Sequence, residues 1–73
     1  MEKLTQLAED TINVLRVMYS LNHITYTVID DKTVIFHCTS IMFGHIQLIS
    51  NIFNTTRIGI SNNDNLLAIT VYL

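Results

Sequence analysis

The side chains that could do chemistry in this sequence are few and dispersed. They are His23, His37, His45, Cys38, Asp30, Asp31 and Asp64. A catalytic nucleophile needs a base within hydrogen-bonding reach. A structural zinc ion needs four ligands at suitable spacing. The sequence shows neither arrangement as a local motif.

The histidines and the cysteine have interpretations that are simpler than a catalytic or metal-binding site. His37 and Cys38 are adjacent in a segment that alternates with period two, so we expect their side chains on opposite faces of a strand. His23 would lie diagonally from His37 on one face, where zinc binding would need further ligands, for example from a second chain. We expect Cys38 to behave as a small core hydrophobe. A catalytic pair with His45 would require a tertiary contact that no pattern indicates.

The carboxylates fall in segments that read as turns. Asp30, Asp31 and Asp64 occupy such segments, where Asp is favoured for backbone reasons alone. The run 62–65 has neither the spacing nor the closing glutamate of a calcium loop. The two glycines are isolated and form no phosphate-binding loop. We therefore predict a non-enzymatic protein with no catalytic residue, no cofactor and no metal site.

Apolar periodicity predicts six elements that would position these residues, in the order αββαββ. Helices are predicted over 2–20 and 41–53, and strands over 23–29, 33–38, 56–61 and 66–73. The expected buried faces are Leu4, Leu7, Ala8, Thr11, Leu15 and Met18 in the first helix, and Met42, His45, Ile46, Ile49, Ile52 and Phe53 in the second. The expected helix stops are Asn22 and Asn54, and the expected N-cap of the second helix is Thr39 or Ser40.

Face matching predicts the pairing within each hairpin, because a slip of one residue would exchange the two faces of a strand. In the first hairpin, a three-residue loop 30–32 pairs Tyr26 with Phe36, Val28 with Val34 and Ile24 with Cys38. In the second, a four-residue loop 62–65 pairs Ile58 with Ile69 and Ile60 with Leu67. The two hairpins then form a four-stranded antiparallel sheet with both helices on one face, an α+β fold in one domain spanning 1–73.

The two halves of the chain also align with each other. Ile12 matches Ile46 and Tyr26 matches Ile60, and after one inserted residue Phe36 matches Val71. The alignment indicates either an internal duplication of a helix–hairpin unit or the similarity that any two amphipathic units of this kind share at apolar positions.

Composition predicts association with another protein. The chain of 73 residues is 49 % hydrophobic and 14 % charged, against about 25 % charged in a typical domain. A core of this size is marginal, and one cysteine permits no intrachain disulfide, so we expect a homodimer or a protein partner. Four scattered basic residues and a net charge of −2 disfavour nucleic acid. We predict no membrane segment and, since the N-terminus lacks a signal-peptide core, a cytoplasmic location.

The outer face of the predicted sheet is the most informative surface, because Arg57 is its one expected charge. The residues predicted to form an interface are Ile29, Ile35, His37, Arg57, Leu66 and Tyr72. We expect a protein-binding regulator or inhibitor that self-associates, such as one carried by a virus or mobile element. The alternative is a small-ligand-binding homo-oligomer with a pocket between protomers, lined by Thr25, Thr27, His37, Arg57 and Tyr72. An open strand edge offers a second route to a dimer, through a continuous eight-stranded sheet.

Overall fold

The computed structural model describes residues 2–73 and confirms the predicted α+β architecture. The elements are α1 Glu2–Tyr19, β1 Thr25–Asp30, β2 Thr33–Cys38, α2 Phe43–Phe53, β3 Ile58–Asn63 and β4 Leu66–Tyr72. The strands form one antiparallel sheet in the order β1-β2-β4-β3. The second strand of each hairpin is therefore central, and β1 and β3 are the two edges.

The core lies between the two helices and one face of the sheet. The buried strand residues alternate along β2 and β4, so they share that face; they are Val34, Phe36, Cys38, Ile69 and Val71. The helices contribute Leu4, Ala8, Ile12, Leu15, Ile49 and Phe53. The rings of Phe36 and Phe53 meet edge to face, with centroids 5.9 Å apart. Both helices thus cover one side of the sheet and leave the other side open.

The buried stripe of α1 differs from the predicted one at its C-terminal end. Ile12 is buried, whereas Met18, predicted to face the core, is 70 % exposed. The prediction followed a spacing close to 3.5 residues, and over the roughly four turns from Leu4 to Met18 the true helical period of 3.6 rotates such a stripe away from the core. The buried residues of α1 are Leu4, Ala8, Thr11, Ile12 and Leu15, and all of them except Ile12 were predicted.

The first helix ends earlier than predicted. Ser20, and not Asn22, adopts the left-handed conformation, with φ of 55°. The N–H of Leu21 then donates to the carbonyl of Leu15, six residues earlier, at 3.2 Å, so the chain folds back over the last turn of the helix.

The second helix begins later than predicted and ends as predicted. Its N-cap is Met42, and neither Thr39 nor Ser40 takes that position. The Met42 side chain makes no capping hydrogen bond. The imidazole of His45 folds back to the start of the helix instead, and its Nδ1 accepts from the Met42 N–H at 3.0 Å. Asn54 closes the helix in the left-handed conformation, with φ of 53°.

The first hairpin has the predicted register, but its turn is shorter than predicted. Tyr26 pairs with Phe36 and Val28 with Val34, as predicted, while Ile24 is buried but precedes β1. The turn is two residues long, 31–32, and the register shifts between Val28 and Asp30. That bulge restores the face match, so no residue of the turn needs a positive φ.

The second hairpin has a register different from the predicted one. Ile58 pairs with Val71 and Ile60 with Ile69, two residues away from the prediction. The turn is Asp64-Asn65 alone, with φ of 51° and 66°, the geometry of a two-residue turn that suits the twist of paired strands. The alignment of the two halves would pair Ile60 with Val71, so the strand register does not follow it.

Candidate functional site

The uncovered side of the sheet, which we call the outer face, is a surface that both helices leave open. Its strand positions are Thr25, Thr27, Asp30, Thr33, Ile35, His37, Gly59, Ser61, Asn63, Leu66, Ala68, Thr70 and Tyr72. Asp30 is the one Asp, Glu, Lys or Arg among these strand positions, and Arg57 lies directly before β3. With strands about 4.8 Å apart, three intervals make the face about 14 Å wide.

Two of the predicted interface residues lie at the middle of the outer face. Ile35 stands between Thr27 on β1 and Thr70 on β4, and His37 stands between Thr25 and Ala68. Both side chains are half-buried by these cross-strand neighbours. The centre of the face is therefore a shallow mixture of methyl and hydroxyl groups with one imidazole.

The structure brings two other predicted residues, Arg57 and Tyr72, together at one corner. The Arg57 guanidinium carbon lies 5.9 Å from the centroid of the Tyr72 ring, and the Arg57 carbonyl accepts from the Tyr72 N–H at 2.9 Å. A Cβ at Gly59 would be 3.9 Å from the Tyr72 ring, so the ring lies beside this glycine. The Thr55 hydroxyl donates to the Tyr72 carbonyl at 2.9 Å. The hydrogen bonds therefore fix the backbone of both residues, and the cation lies beside the aromatic ring.

The remaining two predicted residues, Ile29 and Leu66, lie at the rim. Ile29 is the extra residue of the β1 bulge, so Asp30 replaces it as the partner of Thr33. Leu66 begins β4 beside the turn, at the opposite end of the strand from Tyr72. Their side chains are 53 % and 41 % exposed. The bulge thus adds a charge, Asp30, at the rim of a face that the sequence predicted to carry Arg57 alone.

Cys38 and His45, the residues considered for a catalytic pair, are both buried and contribute to packing. Cys38 is fully buried in the core, and burial raises the pKa of its thiol while a backbone hydrogen bond at Ser40 partly opposes the rise. His45 is buried at the start of α2, where its ring also meets Tyr19 edge to face at 4.8 Å. Within residues 2–73, no three His, Cys, Asp or Glu side chains lie close enough to hold a metal ion.

Two polar residues of the alternative ligand site border different depressions of the single chain. Thr25 borders a depression between α1 and β1, together with Glu9 and Arg16. Arg57 borders another, beside Asn54 at the end of α2.

A second apolar surface, the α2–β3 groove, was not predicted. It is an open groove of about 290 Å³ lined by Phe43, Ile46, Gln47, Ser50, Thr56, Ile58 and Ile60. Ile60 lies on the helix side of the sheet yet is 49 % exposed, and Phe43 is 79 % exposed. A sequence signal for it is the absence of Asp, Glu, Lys and Arg from α2, because a helix that is apolar on most sides is usually covered on more than one of them; within this chain, the side that lines the groove is open.

The amount of exposed surface is ordinary for a folded monomer. The chain exposes 4740 Å², close to the roughly 4,600 Å² expected for its mass. Its unusual property is therefore the low charge of particular surfaces and not a lack of compactness. In the described part of the chain, neither helix has the length and hydropathy needed to cross a bilayer.

Comparisons with protein-family models, curated proteins and solved structures found no match to this chain.

Proposed function

We propose that this chain is a small protein-binding module that acts as a regulator or inhibitor by covering a surface of another protein. The observation that carries the proposal is the outer face: one whole side of the sheet is left open by the helices, and its one charged strand position, Asp30, lies at the rim. A face that remains in water is usually richer in charge, whereas the centre of a protein interface is depleted of it.

The distribution of charge in the rest of the chain supports this proposal. Helix α1 carries five of the ten charged residues, and most of the others are in turns. The low charge of the outer face is thus local. A standard interface covers about 800 Å² on each partner, about a sixth of the 4740 Å² that this chain exposes. One side of a molecule this size is enough for such a contact.

The corner formed by Arg57 and Tyr72 is the expected anchor. Tyrosine and arginine are among the residue types that contribute most binding energy at interfaces. The hydrogen bonds fix the backbone of both residues, and the guanidinium group already contacts the ring before a partner arrives, so less conformational entropy is lost on binding. The threonines around Ile35 add hydroxyl groups that can adapt to the polar groups of a partner.

Other parts of the proposal follow from the same chemistry. The outer face has no cluster of Lys and Arg to neutralise phosphates, so we do not expect it to bind nucleic acid. The buried thiol of Cys38 has no catalytic role in this account. One reduced cysteine is consistent with a cytoplasmic location, where thiols stay reduced.

Affinity capture from cells that naturally express the protein tests the proposal. The variant pair is Ile35→Lys and Tyr72→Glu in one chain, and the control is Asn13→Lys on the exposed side of α1. We expect a defined protein to be captured by the unmodified chain and by the control and to be lost with the double variant. Equal capture by all three chains, with folding verified by circular dichroism, would contradict a role for the outer face.

A further inference from the structure

The two edges of the sheet differ in how well they are protected against pairing with another strand. Edge strand β1 carries a bulge at Ile29 and ends at the charged segment 30–32. The Tyr26 hydroxyl donates to Glu9 of α1 at 2.7 Å, so α1 also reaches over this strand. Bulges, charges and covering helices are the devices by which natural proteins prevent edge-to-edge pairing.

Edge strand β3 has none of these devices. Its register with β4 is unbroken from Ile58 to Asn63, and the segment Ile58–Asn63 contains no charge and no proline. In a hairpin with a two-residue turn, the residues of the flanking pair, here Asn63 and Leu66, hydrogen-bond to each other through their backbones. Along β3, every second residue from Asn63 then bonds to β4, and the N–H and C=O groups of the residues between them point away from β4. The backbone groups of Ile60 and Asn62 therefore point to the open edge.

The open edge lies beside the α2–β3 groove. Ile58 and Ile60 belong to both features, and Phe43 and Ile46 of α2 form the other wall of the groove. The sequence has no charged residue at any of these positions. A row of unpaired backbone groups next to an apolar groove is the combination that a β-strand with apolar side chains fits, because such a strand satisfies both at once.

We propose that the occupant of this edge is the β3 strand of a second copy, paired antiparallel across a two-fold axis to make one continuous eight-stranded sheet. This inference deepens the self-association part of the proposed function and uses a surface separate from the outer face. A contact across a two-fold axis is complete with two copies, so it gives a dimer and no larger assembly. Strand β3 can pair with a second β3 because no like charges meet along Ile58–Asn63.

Apolar matching also gives the register of the pairing. With the axis beside Gly59, Ile58 of each copy lies opposite Ile60 of the other, and all four side chains lie on the helix side of the sheet, in line with the two grooves. The Ile58 N–H donates to the Thr56 carbonyl within the chain at 3.0 Å, and in the dimer it exchanges that bond for one to the Ile60 carbonyl of the second copy. Gly59 then lies opposite Gly59 of the second copy on the outer face. Arg57 lies opposite Ser61, so the two guanidinium groups do not face each other.

Light scattering coupled to size-exclusion chromatography, over a wide range of protein concentration, tests the dimer. We expect twice the chain mass for the unmodified protein and the chain mass for Ile60→Lys, which places a charge in the groove and two ammonium groups near the axis. The control is Val17→Lys, the same charge placed at an exposed aliphatic residue of α1, away from both sheet surfaces, and it should remain a dimer. An unmodified chain that is monomeric throughout, or an Ile60→Lys variant that stays dimeric while folded, would overturn the proposal.

Cysteine cross-linking tests the register. In a non-hydrogen-bonded antiparallel pair the two Cα atoms are about 4.5 Å apart, so Gly59→Cys should form an intermolecular disulfide with copper phenanthroline as the oxidant. Ser61→Cys, one position along the same face, would lie opposite Arg57 and should cross-link much more slowly. Faster cross-linking of Ser61→Cys would refute the register. Affinity capture with the monomeric Ile60→Lys chain separates the two proposals, since loss of the dimer leaves the outer face intact.

Discussion

The two faces of β2 should respond in opposite ways to substitution. Phe36 is fully buried and its ring contacts those of Phe53 and Tyr26, with centroids 5.9 and 6.5 Å away. Truncation of a buried phenylalanine to alanine costs about 3–5 kcal/mol. A domain of 73 residues has a total stability of roughly 4–11 kcal/mol at the usual value per residue. We therefore expect Phe36→Ala to remove at least about a quarter of the stability and, at the lower end of that range, to unfold the chain.

The neighbouring substitution Ile35→Lys should be tolerated. Ile35 points to the outer face, where only its cross-strand neighbours Thr27 and Thr70 partly cover it. A lysine there can extend its ammonium group into water along the face. We expect a loss of about 1 kcal/mol or less, since surface substitutions away from the core have small effects.

Urea unfolding followed by circular dichroism measures both variants against the unmodified chain. With a slope of about 1 kcal/mol per molar urea, typical of a small protein, the midpoint of Phe36→Ala should fall by about 3 M or the transition should disappear. The midpoint of Ile35→Lys should move by about 1 M at most. A loss for Ile35→Lys as large as that for Phe36→Ala would refute the assignment of the two faces.

Three further predictions concern single contacts. Asn65→Gly should raise the free energy of unfolding by a few tenths to about 1 kcal/mol, because glycine adopts a φ of 66° without strain; Asn65→Val should lower it, as thermal unfolding would show. Cys38 should react with Ellman's reagent only after unfolding in urea, because burial raises the pKa of its thiol and excludes the reagent; rapid reaction of the folded protein would contradict this. The hydrogen bond to Glu9, and secondarily desolvation, raises the pKa of Tyr26 above 10.0, so its stabilising effect should be complete below pH 10 and lost as pH rises through the folded pKa; Tyr26→Phe should remove that part of the pH dependence measured by urea unfolding.

The register of the first hairpin was predictable and that of the second was not, for one physical reason. Apolar matching rejects a slip of one residue, because it would exchange the two faces, and this was enough to pair Tyr26 with Phe36. A slip of two residues keeps every side chain on its face, so Ile60 matches Leu67 as well as it matches Ile69. The choice between these two registers depends on the turn, where the left-handed conformations of Asp64 and Asn65 favour a two-residue connection.

The two candidate surfaces differ in the same way: sequence alternation predicts one of them, and the other depends on how the helices pack on the sheet. Alternation along β2 and β4 was sufficient to predict the outer face, including Ile35 and Tyr72. The α2–β3 groove could not be predicted in this way, because Ile60 alternates as a core residue and only the position of α2 leaves it 49 % exposed. Helix–sheet placement depends on the sum of many contacts and has no local signature in sequence.

Site-specific photo-cross-linking in cells tests the central claim, that the outer face contacts another protein, most directly. Benzoylphenylalanine replaces Tyr72 on the outer face or, as the matched control, Tyr19 at the end of α1; these side chains are 43 % and 44 % exposed. We predict an adduct with a foreign protein from position 72 and none from position 19, with dimer adducts distinguished by their mass of two chains. No foreign adduct from position 72, or the same adduct from both positions, would contradict the proposed function.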